Sequence, residues 1–578
     1  MNDRDEEMDL CPAAEGLSGR RDAMPPPPPP PPFSLSQWGD LFGVLRAVER
    51  AGGLPLYIVG GFVRDHLLGN TSPLDVDVVS IGPAHPRDVA ETFQRCAKAA
   101  FPSDGATADG VYVLERQRCS DVAITLFRGI RIDITRAQSM ETDALSRDLT
   151  INALYYGVES GTISDPTGHG MEDLLRHRLL RAAGPDALVV DPIRALRVVR
   201  FREKLRGRGF VLDASLESAL CAEHIPRGLA AASRHRIADE LRALLLGTPE
   251  PSNALHFMAR HRGWIASCFR AAQGTCTVGA EEESAMAETV HEGCVRLACA
   301  HRCFCSEALR SELADDFALE HFHEMVLVVA FISPFHDGGD NSGGSGCDAG
   351  AAEVCLTEEE DVPPPAGASS ASAAASEEDR ETGAEDGRVA AQMLRSGLAY
   401  GHKKCGMCLR ALDAMPDVGR LLTDWTKDAA HSFSRVSVAA CMRRLRKPAI
   451  FDLSALLSLS ASLAAVVPHS PRDADLLSLQ WNEGDVVENF LSFRRRIIAE
   501  RLDTPQIVGM TPLLTAPLMR KCLHTSDSAV LRRAGDMSID WQVEHPDGTR
   551  NDLRAFLRTA FGVPSPPEQK KRPGPTPA

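Results

Sequence analysis

Asp75 and Asp77 stand two residues apart in a β-branched run, Asp75-Val76-Asp77-Val78-Val79. In a strand, residues i and i+2 face the same side, so this spacing holds two carboxylates next to each other. Like charges on one strand face repel, and a divalent cation removes the repulsion. Mg²⁺ takes oxygen ligands and is commonly held by one or two carboxylates together with substrate phosphates. The chemistry that needs this arrangement is metal-assisted phosphoryl transfer. Just upstream, an apolar run from Leu56 to Val59 ends in Gly60-Gly61, followed by a helix-like segment, Phe62 to Leu68, with Arg64 and Asp65 in its first turn. Glycines let the backbone approach a phosphate, a helix start offers free N–H groups to an anion, and Arg64 could add a bidentate contact.

Three further stretches carry side chains suited to the same chemistry. Ile130-Arg131-Ile132-Asp133-Ile134-Thr135 alternates apolar and polar residues, which predicts a half-buried strand with Asp133 on its polar face. If that strand lies beside the Asp75/Asp77 strand, Asp133 becomes a third carboxylate, able to orient a metal or help deprotonate an attacking hydroxyl. In Ser146-Arg147-Asp148-Leu149-Thr150-Ile151-Asn152, the four-residue spacing of Asp148 and Asn152 puts both on one face of an expected helix. In Asp191-Pro192-Ile193-Arg194 and onward to Phe201, Arg194, Arg197 and Arg200 recur every three residues as one arginine stripe, with Leu196, Val198, Val199 and Phe201 as the packing side. Such a stripe calls for an anion, and a nucleoside triphosphate fits. Asp191 would otherwise be an N-cap.

The elements that must position these residues follow from composition and periodicity. The chain has 578 residues with 44% hydrophobic content, enough for several domains. Residues 1–34 read as a disordered proline-rich arm, 35–157 as an α/β head, 158–250 as a helical neck carrying the arginine stripe and 251–336 as a helical body. Residues 337–388 read as a disordered acidic insertion, 389–563 as a further helical body and tail, and 564–578 as a disordered end. The fold class expected is α+β, with strands confined to the head and helices throughout the rest.

The net charge of −16 excludes a uniformly basic nucleic-acid coat but leaves local basic patches open. No apolar run of about 18 residues is seen, so no membrane partner is expected. Sixteen cysteines without a signal-peptide pattern point to a reduced intracellular chain, with the cytoplasm as the expected compartment. Cys405-x-x-Cys408 lacks a second pair, and buried free thiols are the expected reading over zinc. His336-Asp337 lacks companion ligands.

The motifs together resemble the class II tRNA nucleotidyltransferase and poly(A) polymerase family. Gly60, Gly61, Val63, Arg64, Asp65, Leu67, Leu68 and Gly69, then Asp75 and Asp77, match its first signature. Arg147, Asp148 and Asn152 match its ribose and triphosphate motif, with Ser146 in place of the first arginine. Residues 165–174 are similar to its head-to-neck segment, and residues 235–241 to a supporting helix in which Arg236 and Glu240 pair. The likeness covers residues 56–245 well and 500–560 weakly.

The resemblance implies Mg²⁺ at Asp75 and Asp77, assistance from Asp133, and phosphate and sugar contacts from Gly61, Arg64, Arg147, Asp148 and Asn152. It implies that Asp191 and Arg194 read the base of CTP or ATP, with Val190 where the family often has a second acid. The implied activity is addition of CCA to tRNA without a nucleic-acid template. The short stretch from Asp133 to Arg147 resembles members that add only CC, so a CC-adding enzyme is an alternative. A poly(A) polymerase and an inactive RNA-binding scaffold are two more.

Overall fold

The computed structural model describes residues 38–70, 75–102, 110–114, 121–269, 280–313, 319–337, 389–428, 432–465 and 483–564. The proline-rich arm, nearly all of the acidic insertion and the C-terminal end lie outside them. The chain divides into two compact units, one of residues up to Arg194 with Leu205–Leu220, the other of Ala195–Lys204 with the residues from Cys221 on.

The first unit is built on a seven-stranded mixed sheet. In chain order its elements are α1 (Gly39–Gly52), β1 (Leu56–Val59), α2 (Gly61–Leu67), β2 (Asp75–Ile81), α3 (Pro86–Ala100), β3 (Tyr112–Leu114), β4 (Val122–Phe127), β5 (Ile130–Ala137), α4 (Met140–Leu145), β6 (Tyr155–Gly157) and β7 (Ile163–Ser164). The strand order is β3-β4-β5-β2-β1-β6-β7. Only β2 and β5 run parallel; the other neighbours are antiparallel. Apolar residues of α1 (Leu41, Phe42, Val44, Leu45, Val48) and α3 (Val89, Ala90, Phe93, Ala97) are buried, as are Val76 and Val78 of β2. Phe93 meets Phe127 of β4 edge to face, with ring centres 6.0 Å apart. Period-two burial on β2 turns its valines inward and leaves Asp75 and Asp77 on the exposed face.

Two boundaries differ from the sequence reading. The sheet does not stop at residue 157, because β7 pairs with β6 at Tyr155↔Ser164 and Tyr156↔Ile163. Strands also recur in the 158–250 stretch read as a helical neck: Leu179–Leu180 and Val211–Leu212 pair in parallel. Two-residue strands are too short to register as an alternating pattern, which is why periodicity reads the region as helical.

The second unit is helical throughout its described residues. Its helix Pro448–Ala465 is long and apolar enough, by length and composition, to cross a membrane. Most of that helix is buried, however, and it carries Asp452, which accepts a 3.2 Å hydrogen bond from Arg494 Nε. These are features of a core helix. Cys405 and Cys408 are buried in the helix His402–Lys427, and desolvation pushes the Cys408 thiol up to about 12. His336 bonds Asp413 at 2.9 Å. At the C-terminal end, the helices Ser528–Glu544 and Arg550–Ala560 are joined by a turn in which Thr549 and Asp552 form a capping box. Gly548 is required there, because a Cβ would fall 2.3 Å from the Trp541 ring.

Replacing Arg494 by Met takes a charged partner from the buried Asp452 carboxylate, and breaking such a pair from one side costs about 3 kcal/mol. Denaturant melting of R494M should show that loss, and D452L/R494M should recover most of it.

Candidate active site

The parallel pairing of β2 with β5 sets Asp77 opposite Asp133 and Asp75 opposite Arg131. Asp75, Asp77, Arg131 and Asp133 therefore occupy the corners of one patch on the exposed face, while Val76, Val78, Ile132 and Ile134 between them are buried. The condition on which Asp133 was expected to join the pair is met. Arg131 was not singled out from the sequence, although it stands two residues before Asp133 and so shares its face. Its Nε and Nη2 donate to the two Asp133 oxygens at 2.6 and 2.8 Å. The Arg131 pKa is raised, first by that hydrogen bonding; burial is the next largest effect and opposes it, and the charges of Asp133, Asp75 and Asp77 add to the rise.

Gly60 joins this patch to the rest of the site. Its backbone lies at φ 73°, ψ −134°, just before α2 begins at Gly61. A Cβ on Gly60 would stand 3.0 Å from Asp77 Oδ2 and 3.6 Å from Arg147 Nη1. Gly60 is therefore packed closely against the site's own side chains.

Arg147 is clamped. Its Nε and Nη2 donate to Asp143 Oδ2 at 3.0 and 2.9 Å, and the Tyr155 hydroxyl donates to the same oxygen at 2.5 Å. Burial opposes the Arg147 charge, but Asp143, Tyr155 and then Asp77 outweigh it and raise its pKa. Arg147 remains a cation held at a fixed place, within electrostatic reach of the carboxylate patch.

Arg64, expected as a phosphate contact, is built into the protein's own hydrogen bonds. Its side chain is only 3% exposed, with Nε on Asp65 at 2.7 Å and Nη1 on Asn152 Oδ1 at 2.6 Å. Asn152 Nδ2 in turn donates to Asp148 Oδ1 at 3.0 Å, and that oxygen also takes the Leu149 N–H at 2.8 Å. A guanidinium this buried is stabilised by acceptors close at hand, and the chain supplies them from its own motif. Asp148 and Asn152 are joined, as their spacing implied, but not on an α-helix. Leu149 forms a bridge with Ala182, and only Thr150–Asn152 coil, as a 3-10 turn. The segment resembling a head-to-neck joint is tied in here, since Asp173 accepts from Thr150 Oγ1 at 2.8 Å and from Arg181 Nε at 3.0 Å.

Asp191 and Arg194 sit at the start of the helix Ile193–Arg206. Asp191 Oδ1 accepts from the Ile193 N–H at 3.3 Å, and Arg194 Nη1 donates to the Ala187 carbonyl at 3.0 Å. Leu196, Val198, Val199 and Phe201 are buried, as expected. The rest of the arginine stripe has a counter-charge within the protein: Glu240 receives Arg200 Nε at 2.5 Å and Arg197 Nη1 at 3.7 Å. Glu240 was expected to pair with Arg236. The stripe's need for an anion is met for these two arginines by a carboxylate three helices on, a partner that local spacing could not reveal.

Among the described residues, no three His, Cys, Asp or Glu side chains converge as a ready metal cage. Asp75, Asp77 and Asp133 instead line an open patch of hard oxygen donors carrying three negative charges against one arginine. This donor set fits Mg²⁺, which completes its shell with water and substrate phosphates rather than an all-protein cage.

Gly60→Ala should lower stability by about 1–2 kcal/mol, because an L-residue is strained at this backbone conformation and its Cβ presses on Asp77. Thermal melting checks this, and Gly69→Ala, at φ 83° with nothing within 4 Å of its Cβ, separates the backbone part from the contact with Asp77.

Residues 56–181 match the family model of the poly A polymerase head domain. A multifunctional CCA protein of Xanthomonas campestris pv. campestris (strain B100) is 37% identical over 202 residues, which is 34% of this chain and 47% of that protein. A CC-adding tRNA nucleotidyltransferase of Shouchella clausii (strain KSM-K16) is 34% identical over 215 residues, 37% of this chain and 50% of its own. The chain thus spans about half the length of the curated relatives it matches. Among solved structures, a CCA-adding enzyme in complex with CTP aligns over 92% of this chain and 96% of that one, with a TM-score of 0.51 and 16% identity, a likeness of fold. Residues 56–181 thus form a head domain of the poly A polymerase type, followed by a largely helical remainder, and over about a third of its length the chain is similar to CCA-adding and CC-adding proteins.

Proposed function

We propose that the protein adds the terminal CCA to tRNA from CTP and ATP, without a nucleic-acid template. The observation that carries this reading is the register of β2 and β5, with Asp77 opposite Asp133 and Asp75 two residues away on the same exposed face. In the proposed reaction the tRNA 3′-oxygen forms a bond to the α-phosphorus of the incoming nucleotide, the bond from that phosphorus to the β-phosphate bridge oxygen breaks, and pyrophosphate leaves. Asp75 and Asp77 would hold Mg²⁺, which when bound offsets their charge and polarises the reacting oxygens. In this reading Asp133 takes the proton of the 3′-hydroxyl. Arg147, fixed by Asp143 and Tyr155, meets the triphosphate as a cation that needs no reorganisation. The Arg64–Asn152–Asp148 chain keeps the floor beneath it in one shape.

Base choice falls to Asp191 and Arg194 in this proposal. A carboxylate accepts from the exocyclic amine that C and A share, and a guanidinium donates to a ring nitrogen or carbonyl. U and G present the opposite pattern at that edge. The hydrogen bonds these two side chains make to Ile193 and Ala187 hold them at the helix start.

A CC-adding reading has its own support. Between Asp133 and Arg147 the chain finishes β5 at Ala137 and fills Met140–Leu145 with α4, whose Asp143 is bound to Arg147 and Tyr155. That connection is short and tied down, and one of the relatives is a CC-adding tRNA nucleotidyltransferase.

The full chain, given tRNA that lacks its 3′ end and Mg²⁺, should add two C residues from CTP alone and CCA from both nucleotides, read on a sequencing gel. Products that stop at CC with both nucleotides present would replace CCA addition by the CC-adding reading, and long A tails would indicate a poly(A) polymerase. Asp77→Asn should lower incorporation by at least about a hundredfold, the scale on which metal sites depend on their ligands. Undiminished incorporation would discard this site.

A further inference from the structure

The carboxylate patch carries a feature that the proposed reaction leaves without a role. Arg131 holds both oxygens of Asp133 at once, at 2.6 and 2.8 Å. It also stands beside Asp75 in the strand register. On its other side its register partner is Leu126 of β4, an exposed apolar residue. Asp133 faces Asp77 on one side and Ile124 on the other. The positive charge of Arg131 is therefore directed at the carboxylates of the site.

Two physical consequences follow. Like charges directly opposite each other on neighbouring strands destabilise the pairing. With no metal, Arg131 partly offsets that repulsion and keeps Asp133 upright beside Asp77. The bidentate bond also takes one acceptor site on each Asp133 oxygen, so Arg131 competes with a metal or a proton for this carboxylate. Release is cheap, because the Arg131 side chain is 50% exposed and the freed guanidinium turns into water. Buried Arg64 and clamped Arg147 have no such freedom.

We infer that Arg131 is a built-in counter-ion and a positioning residue. It holds Asp133 in place in the metal-free protein, competes with the divalent cation for the patch, and gives Asp133 up as metal and nucleotide arrive. The inference rests on the reading of Asp75, Asp77 and Asp133 as the metal-binding patch. It makes Arg131 a setting for how much free Mg²⁺ the protein needs, distinct from the residues that perform the transfer.

The test measures metal binding and melting on the full chain, without reliance on turnover. Mn²⁺ serves as the probe, followed by electron paramagnetic resonance, with parallel thermal melts in chelator and in excess Mg²⁺. Arg131→Gln should bind Mn²⁺ about two- to fivefold more tightly, the range an exposed ion pair commands. It should melt lower than the parent in chelator and gain more from Mg²⁺. Arg131→Lys, which keeps the charge but cannot chelate Asp133 through a planar fork, should shift in the same direction by less. Unchanged or weaker Mn²⁺ binding in R131Q overturns the inference. Asp77→Asn separates that failure from a failure of the site itself. If D77N loses Mn²⁺ while R131Q is unchanged, the patch binds metal and only the role of Arg131 falls. If D77N binds Mn²⁺ like the parent, the metal-site reading falls and the inference with it.

Discussion

The parallel pairing of β2 with β5 is the constraint on which the rest of the site depends. Every other neighbouring pair in the seven-stranded sheet is antiparallel, and this one contact brings residues 75–77 alongside residues 131–133. Its register is fixed by burial: Val76, Val78, Ile132 and Ile134 must all enter the core, and a one-residue slip would turn the charged side chains inward. Once the valines and isoleucines are buried, Asp77 and Asp133 have to stand opposite each other in solvent. The fold thereby holds a concentration of negative charge that only a cation relieves.

The surrounding arginines divide the work by their exposure. Arg64, almost fully buried, links Asp65 to Asn152 and through it to Asp148, and so welds α2 to the segment before β6. Arg147 is held by Asp143 and Tyr155 yet stays close to Asp77 across Gly60, where a Cβ would press on the Asp77 carboxylate. Arg131 is half exposed and bound to Asp133, which leaves it the means to move. The same residue type thus provides a rivet, a fixed electrostatic contact and a displaceable counter-ion.

Much of this was legible in the sequence, for reasons that can be traced to particular residues. Period-two alternation around Asp75, Asp77 and Asp133 encodes which face each side chain takes, and the glycine pair marks the tight approach. The apolar residues among the arginines of 194–200 encode the packing side of that helix. What escaped depends on distant partners. Arg64 turns inward because Asn152, 88 residues away, offers it an acceptor. Asp148 to Asn152 fail to form an α-helix because Leu149 is drawn into a bridge with Ala182. Arg197 and Arg200 find Glu240 rather than presenting an unmet charge. Arg131 was within reach of the alternation argument, but a basic residue beside an acid reads as an ordinary surface pair until the strand register shows three carboxylates around it.

The central claim is that a divalent cation sits on the β2–β5 carboxylate patch. Iron-directed cleavage tests it most directly: Fe²⁺ replaces Mg²⁺, and ascorbate with peroxide generates hydroxyl radicals that cut the backbone next to the bound metal. The account predicts cuts at residues 75–77 and 131–133, suppressed by excess Mg²⁺. Cleavage confined to other segments, or cuts at these strands that Mg²⁺ does not suppress, would contradict it.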